Sequence, residues 1–259
     1  MNLLSNIIGV RSGDIVAVIG AGGKHSLMSR LGQELEEDGR IVVLTSTTNL
    51  HRSGDSKSIS TLMLKRCHNW PQQLTDELAQ RHRIVLVDRE WGPNMYRGIN
   101  PSQIEQISAA APEAVILIKA DGARKRLLKM PAESEPVFGP QTDRCILVLS
   151  LAAIGKPFGP QYVHRLDRFT QRLTQSDITA QTIVDAIIGP GGYAPRLPHT
   201  SHNVLYLSHG DTPERLEAAR HIWDQTCGIF HQQIAGDTMQ GSFVIAESGS
   251  GNTCQKKSS

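Results

Sequence analysis

The sequence predicts an α/β fold in three layers, like that of P-loop NTPases, with a mostly parallel sheet of about seven strands and helices on both faces. The first observation behind this prediction is a series of short apolar runs, rich in β-branched residues, along most of the chain. They are nearly continuous rather than alternating, as is typical of strands buried on both faces. The second is that amphipathic helical patterns lie between many of the runs. The third is a glycine-rich turn between the first run and the first helix.

The predicted elements follow in order along the chain. Flanking Gly, Asp and Pro residues favour strands for the apolar runs at 15–19, 41–44, 84–87, 115–118, 145–149, 204–207 and 243–246. Helical periodicity predicts helices at 24–38, 74–81, 101–111, 179–188 and 213–227. We expect residues 1–247 to form one P-loop-like nucleotide-binding domain. The small polar residues at 248–259 predict a disordered tail.

The composition excludes several classes of protein. Among the 259 residues, 27 basic and 25 acidic side chains give a net charge of +2, too balanced for binding nucleic acid through bulk charge. No apolar run reaches the ~18 residues of a membrane span, and we see no secretory signal. The four cysteines form no CxxC motif. We therefore expect a cytoplasmic protein with no nucleic-acid partner and no membrane partner.

The glycine-rich turn ends the first predicted strand and opens the first predicted helix. Its consecutive residues are our candidate cofactor-binding residues: Gly20, Ala21, Gly22, Gly23, Lys24, His25 and Ser26. Glycines let backbone N–H groups approach an anion, the helix N-terminus adds partial positive charge, and Lys24 adds a full charge. The turn therefore predicts a phosphate cradle, with Lys24 in a catalytic role. The alternative is a tight turn with an exposed lysine.

The turn departs from two better-known patterns. In the full P-loop pattern Val18 takes the first glycine position and His25 the hydroxyl position, although Ser26 could supply a hydroxyl to Mg²⁺ if the register shifts by one. In the dinucleotide fingerprint Gly20 and Gly22 fit, but His25 takes the third glycine position. The acid expected after the second strand is also missing, so an NAD-dependent oxidoreductase is the less favoured alternative.

Polar residues at two further strand ends are candidates for the same site, because ligands of open α/β sheets bind outside the strand C-termini. Thr45, Thr47 and Thr48 follow the second predicted strand and could contact phosphate oxygens, or could be ordinary loop residues. Asp121 follows the strand at 115–118 and suits the Mg²⁺-orienting acid of an NTP site. Arg124 begins a basic run that predicts an anion clamp, or a solvated loop.

Two other acidic residues are open to more than one interpretation. Asp88 also follows a strand and is a rival for the acid role of Asp121. Asp211, after the late strand, is the one residue of a guanine-binding Asn-Lys-x-Asp pattern that is present. Either Asp211 or Thr212 could be the N-cap of the following helix, and for Asp211 we favour that role over guanine binding.

Several motifs occur together in a characteristic order: the turn with Lys24, the hydroxyl run at 45–48, Ala-Asp-Gly-Ala-Arg at 120–124, Leu-Lys at 128–129, Pro-Ala-Glu at 131–133, Glu-Pro at 135–136 and Val-His-Arg at 163–165. Their joint order and spacing resembles the YqeC family, described as accessory proteins of selenium-dependent hydroxylases or as selenium cofactor biosynthesis proteins. The resemblance runs from about residue 15 to residue 243.

The resemblance implies a cytoplasmic, P-loop-like nucleotide-binding protein that binds ATP or GTP with Mg²⁺. It would help to mature or activate molybdenum hydroxylases that carry a labile selenium cofactor, with the hydroxylase or its cofactor-maturation proteins as partners. It places Lys24 on the nucleotide phosphates and Asp121 near a metal. His164 and Arg165 match a family motif without a derivable role, and we take both as cofactor-binding candidates.

Three departures from the family pattern limit these implications. His25 stands where the family loop has threonine, and Lys119 stands where an acidic residue usually precedes Ala-Asp-Gly. Both changes remove an expected magnesium contact. The late strand ends in Ser-His-Gly-Asp at 208–211 rather than Asn-Lys-Ala-Asp. Nucleotide binding is therefore implied more firmly than metal-dependent hydrolysis or guanine specificity.

The sequence thus supports a leading hypothesis and three others. The leading one is a nucleotide-binding accessory protein with slow Mg²⁺-dependent NTP hydrolysis. The second is a non-hydrolysing module that binds and delivers a phosphorylated, molybdopterin-like cofactor. Less favoured are a kinase, with Asp88 or Glu133 as base, and the NAD-dependent oxidoreductase.

Overall fold

The computed structural model describes residues 3–52, 59–139, 141–169 and 176–246, so the predicted tail at 248–259 lies outside the described residues. The strands are β1 Ile15–Gly20, β2 Val42–Ser46, β3 Leu50–His51, β4 Ser60–Met63, β5 Arg83–Val87, β6 Arg89–Glu90, β7 Met95–Arg97, β8 Val115–Lys119, β9 Leu128–Lys129, β10 Arg144–Ser150, β11 Val163–His164, β12 His202–Ser208, β13 Gln232–Asp237 and β14 Ser242–Ile245. The α-helices are α1 Leu4–Ile8, α2 Lys24–Glu37, α3 Trp70–Gln80, α4 Gln103–Ala110, α5 Ala180–Ile188 and α6 Pro213–Gln225.

The main sheet contains nine of the described strands, in the order β14-β13-β12-β10-β1-β8-β2-β5-β4. Every neighbouring pair is parallel except β13 and β14. Strand β1 lies at the centre between β10 and β8, and its register places Gly20 beside Val148 and Val18 beside Lys119. This is the mostly parallel α/β architecture that the sequence predicts, consistent with a three-layer P-loop-like fold.

The main sheet has nine described strands, whereas the sequence predicts about seven. The two additional strands are β4 and β13. All four residues of β4 are only half-buried, since it lies at the edge of the sheet. Strand β13 begins with two half-buried glutamines before its buried Ile-Ala-Gly segment. Neither strand therefore presents the continuous apolar run on which the prediction rests.

The two faces of the sheet are covered by different helices, as alternating side chains of β1 show. Ile15, Ala17 and Ile19 of β1 pack in the larger core, together with residues from α3, α4, α5 and α6. Val16 and Val18 of β1 pack in a second core, together with residues from α1 and α2. Two small sheets, β3-β7-β6 and β11-β9, lie outside the main one. The helices thus form outer layers on both sides, as predicted.

The helix boundaries agree with the sequence for α2, α4, α5 and α6 to within about two residues. Helix α3 begins at Trp70, before the predicted start at residue 74, with Pro71 in its first turn. Helix α1 was not predicted, since five residues are too few to show periodicity. In the described parts of the chain, no helix combines the length and the apolar character needed to cross a membrane.

Helix α2 is the element that carries the glycine-rich turn, so its packing fixes the position of that turn. Leu27, Leu31 and Leu35 lie one turn apart and are each 0% exposed. We predict that Leu31→Ala lowers the free energy of unfolding by ~2–5 kcal/mol, because it leaves a cavity against the sheet. The exposed Gln33→Ala on the same helix should change it by less than ~0.5 kcal/mol. Urea denaturation of both variants measures the difference, and equal values would contradict this packing.

Candidate functional site

Four neighbouring strands end at the same edge of the sheet. Strands β12, β10, β1 and β8 are parallel and adjacent, so the segments that follow them converge. These segments carry the turn at residues 20–24, which we call the glycine loop, together with Asp121, Ser150 and His209. This edge is where open α/β sheets bind ligands. The topology therefore assembles the site from residues far apart in the sequence.

The glycine loop has a backbone conformation that favours glycine. Gly20, Gly22 and Gly23 have φ angles of 97°, 71° and 137°, which L side chains rarely adopt. A Cβ atom on Gly22 would also lie 2.7 Å from the carbonyl oxygen of Leu127. Among the described residues, the main-chain N–H groups of Gly22, Gly23 and Lys24 have no hydrogen-bond acceptor. Unpaired N–H groups at a helix N-terminus are suited to binding an anion.

Lys24 lies inside the protein beneath this loop and is only 6% exposed. Its ammonium group donates to the carbonyl oxygen of Gly20 and to Oδ1 of Asp121, the latter at 2.7 Å. A tight turn with an exposed lysine therefore does not describe this residue. The ammonium is held at the inner side of the loop, next to the backbone that would contact a phosphate.

Asp121 is the centre of a buried hydrogen-bond network and is 0% exposed. Besides Lys24 on Oδ1, its Oδ2 accepts from Lys129 Nζ at 2.8 Å, Tyr193 Oη at 2.7 Å and the Gly20 N–H at 3.0 Å. Burial by itself raises the pKa of Asp121, but the ammonium groups of Lys24 and Lys129 outweigh it and hold the pKa well below the usual range. The carboxylate is therefore ionised at neutral pH, as a partner for both lysines.

Tyr193 remains a hydroxyl donor in this network. Burial and the negative charge of Asp121 raise the pKa of Tyr193 far above its ordinary value. The phenol therefore keeps its proton at neutral pH and donates a hydrogen bond to Asp121.

A second set of ion pairs extends the network away from the glycine loop. Lys129, which is 0% exposed, also contacts Oε2 of Glu135 at 2.8 Å. Arg165 Nη1 donates to the same oxygen at 2.7 Å. Arg165, a predicted cofactor-binding residue, is therefore an internal partner of Glu135 in this structure.

The predicted hydroxyl ligands also make contacts within the chain. Thr45 Oγ1 donates to the Leu86 carbonyl oxygen at 2.7 Å, and Thr47 Oγ1 donates to that of Val137 at 2.7 Å. Thr48 Oγ1 accepts from an ammonium group at the end of β8. These side chains therefore hold together the loops around the site, and their roles toward a ligand stay predictions.

That ammonium group belongs to Lys119, which reaches from β8 to the segment after β2. Its Nζ donates to Thr48 Oγ1 at 2.7 Å and to the Asn49 carbonyl oxygen at 2.8 Å. Burial lowers the pKa of Lys119 to about 8, with the ammonium groups of Lys24 and Lys129 adding to the effect and Asp121 opposing it. Lys119 is therefore mostly protonated at neutral pH and adds a positive charge to the site.

The network as a whole carries more positive than negative charge. Among the described residues its basic groups are Lys24, Lys119, Lys129 and Arg165, and its carboxylates are Asp121 and Glu135. Burial lowers the pKa of Lys24, and the ion pair with Asp121 opposes this shift and favours the ammonium form. Charges removed from water are costly unless a counter-charge compensates them. The surplus lies beside the N–H groups of the glycine loop, so an anion bound there would balance it.

The arrangement does not fit a magnesium ion at Asp121, because ammonium, hydroxyl and N–H donors enclose both of its oxygens. Ser26, the other predicted metal residue, is exposed on α2. In the described parts of the chain, no three His, Cys, Asp or Glu side chains are placed to hold a metal ion. Magnesium binding by Ser26 and Asp121 stays a prediction, and we derive no chemical step from it.

The other predicted site residues lie around the rim. His25 and Arg124 are exposed, whereas Ala21 is buried under the loop. His164 is half-buried on β11, beside Lys129 of β9. Their roles toward a ligand also remain predictions.

The acidic candidates are engaged elsewhere or lie in solvent. Asp88 pairs with Arg89 at 2.9 Å, and the Glu133 side chain is 90% exposed. Asp211 pairs with Arg215 at 2.5 Å, and the N-cap of α6 is Thr212, whose side chain accepts from the N–H of Arg215. Of the two N-cap candidates, Asp211 and Thr212, the structure confirms Thr212.

Sequence reasoning missed several residues of the site. Lys129 lies in the basic run that predicts an anion clamp, but nothing in the local pattern indicates that it is buried between Asp121 and Glu135. Tyr193 gives no sequence signal, because a buried tyrosine in a loop resembles a packing residue. Ser150 and His209, whose Oγ and Nδ1 atoms are 3.0 Å apart, come together only through the adjacency of β10 and β12.

The network generates a prediction about stability. Asp121→Asn should lower the free energy of unfolding by ~3–5 kcal/mol, because it removes the counter-charge of Lys24 and one of the two counter-charges of Lys129. The exposed Asp224→Asn should have little effect. Since the folded pKa of Asp121 is depressed, its contribution is present above the ordinary carboxyl pKa of about 4 and is lost as the pH falls further. Urea denaturation from pH 7 to pH 3 tests both statements, and equal effects of the two variants would contradict them.

Comparison with known proteins agrees with this order of motifs. A family model described as YqeC protein matches residues 16–167. A protein of Escherichia coli (strain K12) named "Uncharacterized protein YqeC" is 26% identical over 206 residues, covering 75% of this chain and 75% of its own length. No solved structure matches the chain. The family match includes the glycine loop, Asp121, Lys129 and Glu135, although not Tyr193. Because it covers more than half of the sequence, the chain belongs to the YqeC protein family.

Proposed function

We propose that this protein binds the phosphate groups of a nucleotide, such as ATP or GTP, at the glycine loop. We further propose that it acts in the cytoplasm as an accessory protein for the maturation or activation of selenium-dependent molybdenum hydroxylases. The nucleotide part is supported by the geometry of the site. The hydroxylase part is supported by the resemblance of the ordered motifs alone, with the hydroxylase or its maturation proteins as partners.

The observation that carries the proposal is the surplus of positive charge beside unpaired backbone N–H groups. The four cations of the network share two carboxylates, and Lys24 lies at the inner side of the loop. A phosphate group brings roughly two negative charges near neutral pH, which matches this surplus. A neutral or cationic ligand would leave it uncompensated.

Binding would require only a local change at Lys24. A phosphate oxygen would replace the Gly20 carbonyl oxygen as an acceptor for the ammonium group, while the N–H groups of Gly22 and Gly23 bind other oxygens. Asp121 would keep Lys129 and Tyr193 as partners. The carboxylate therefore remains compensated even if Lys24 moves toward the ligand.

The enclosure of Asp121 favours binding without hydrolysis over an active NTPase. A carboxylate between two ammonium groups has no free oxygen to orient a metal ion. The second candidate function, a module that holds and delivers a phosphorylated molybdopterin-like cofactor, needs the same phosphate cradle but no metal. The positions of Asp88 and Glu133 lend no support to a kinase.

Calorimetric titration of ATP, GTP and their diphosphates, each with and without Mg²⁺, tests the proposal. Binding that is indifferent to Mg²⁺ supports a phosphate cradle. Binding that requires Mg²⁺ supports nucleotide recognition with rearrangement of Asp121, and turnover assays would then follow. If no nucleotide binds, nucleotide recognition is overturned, and native mass spectrometry of the purified protein would look for a cofactor instead.

The role of Lys24 gives a second prediction. Lys24→Met keeps the length of the side chain but removes its charge, so nucleotide affinity should fall by at least about tenfold, as for loss of a charged hydrogen bond. The exposed Lys65→Met is the matched control and should bind as the wild type does. Circular dichroism would verify that both variants fold. Unchanged affinity in a folded Lys24→Met would refute the assignment.

The backbone of the loop gives a third prediction, in which two alanine substitutions separate strain from steric conflict. Gly39 has a φ of 76° and open space around it, so Gly39→Ala should cost only the ~1–2 kcal/mol of a left-handed conformation. Gly22 has a similar φ but touches Leu127, so Gly22→Ala should cost ~1–3 kcal/mol more. Only Gly22→Ala should also weaken nucleotide binding. Thermal unfolding and calorimetry measure the two effects, and similar behaviour of both variants would argue against a packed loop.

A further inference from the structure

The small β9–β11 ladder lies directly against the glycine loop. Leu127, which precedes β9, provides the carbonyl oxygen that approaches Gly22. The N–H groups of Leu127 and Leu128 both donate to the Tyr162 carbonyl oxygen, at 3.0 Å and 3.1 Å, and so join the start of β9 to the residue before β11. The position of the ladder relative to the loop is therefore fixed by backbone contacts.

This ladder presents an imidazole beside the buried network. His164 pairs with Lys129 in the register of the two strands, and its carbonyl oxygen accepts from the N–H of Met130 at 3.2 Å. The backbone of His164 is thus held, while its half-buried ring has no hydrogen-bond partner among the described residues. An imidazole that is held in this way, with no partner in the described part of the chain, is suited to contacting a ligand.

The loop that leads into the ladder carries cations in an unusual conformation. Arg124 and Lys125 are consecutive non-glycine residues with φ angles of 47° and 61°. Left-handed conformations at such residues cost energy and cluster at functional sites. Both side chains are exposed, and neither has a hydrogen bond or ion pair with another described residue. Arg165, in contrast, is already paired with Glu135.

The groups that face His164 make its surroundings positive. Burial and, after it, the cations Arg165, Lys129 and Arg124 together lower the pKa of His164 to about 4, while Glu135 opposes them. The ring is therefore neutral at pH 7, in a field that favours an anion. An anion bound beside it would raise this pKa, because opposite charge stabilises the imidazolium form.

We propose that Arg124 and His164 form a second anion subsite beside the glycine loop, so that the protein selects ligands with a chain of two or more phosphate groups over a single phosphate. This inference rests on the proposed function, since the first phosphate occupies the glycine loop. Arg124 supplies charge from the rim and His164 a hydrogen bond from the ladder. Arg165 acts as a positioning residue that holds Glu135 and Lys129 beneath them.

Inorganic tripolyphosphate and orthophosphate are suitable probes, because the first spans both subsites and the second fills one. We expect Arg124→Ala and His164→Gln each to weaken tripolyphosphate binding about fivefold to tenfold, as for loss of one hydrogen bond to a charged group, with little change for orthophosphate. Lys24→Met should weaken both ligands. Arg11→Ala, an exposed arginine at the opposite end of β1, is the matched control.

The outcomes separate this inference from the proposed function. If Lys24→Met weakens binding but the Arg124 and His164 variants bind tripolyphosphate as the wild type does, the second subsite is refuted and the glycine loop stands. If the wild type binds neither ligand, both proposals fall. Equal losses for the two ligands in the Arg124 and His164 variants would indicate a general effect on the loop and would also overturn the second subsite.

The protonation of His164 gives a readout that a merely structural role would not change. NMR titration of its ring should show a pKa of about 4 in the free protein and a higher pKa with tripolyphosphate bound. The ratio of wild-type to His164→Gln affinity should accordingly increase as the pH falls from 7 to 5. The ratio cancels the titration of the ligand itself, so a ratio that stays constant, together with an unshifted pKa, would contradict the subsite.

Discussion

The carboxylate of Asp121 joins more of this site than any other described group. It is fully buried and ionised, and such a group is tolerated only when charge and hydrogen bonds compensate it. The compensation comes from four separate parts of the chain: the end of β1, the first residue of α2, the strand β9 and the segment after α5. The position of each part is therefore coupled to the others through one side chain.

The glycine loop shows how this coupling limits the sequence. The N–H of Gly20 is fixed by Asp121, and the N–H of Ala21 donates to the Val148 carbonyl oxygen at 2.8 Å. The chain must then turn sharply between β10 and Leu127, with no room for side chains at Gly20 or Gly22. The close approach that requires glycine is the same feature that leaves backbone N–H groups exposed to an anion. The fold and the proposed binding of an anion thus have a common cause.

Much of the fold follows from the sequence, because buried parallel strands have a local signature. Strands β1, β8 and β10 are continuous apolar runs, and burial on both faces explains them. Strands β4 and β13 lack that signature, since one lies at the edge and the other begins with glutamines. Their pairing depends on neighbours supplied by distant parts of the chain, which a local pattern cannot reveal.

In the candidate site, too, residues with a local sequence signature are predictable, and residues brought together by distant parts of the chain are not. The glycine loop and Asp121 are predictable because each follows a predicted strand. The partners of Asp121 are not, since Lys129 depends on the β9–β11 ladder and Tyr193 on a loop more than seventy residues away. The roles of the threonines after β2 could not be predicted either. A hydroxyl at a strand end can face a ligand or a neighbouring carbonyl group, and Thr45 and Thr47 bond carbonyl oxygens.

Lys119 changes the electrostatic logic of the site, given the proposed function. The resemblance of the motifs implies an acidic residue at this position, which would offset one of the buried lysines and attract a metal ion. Lys119 places a positive charge at this position instead. The protein itself therefore supplies positive charge that a metal ion would otherwise bring with the nucleotide. Because burial holds the pKa of Lys119 near 8, this charge is present at neutral pH and is lost as the pH rises above that value. On this argument the lysine and the metal ion are alternatives, so the proposed site would bind phosphate without needing magnesium to balance its charge.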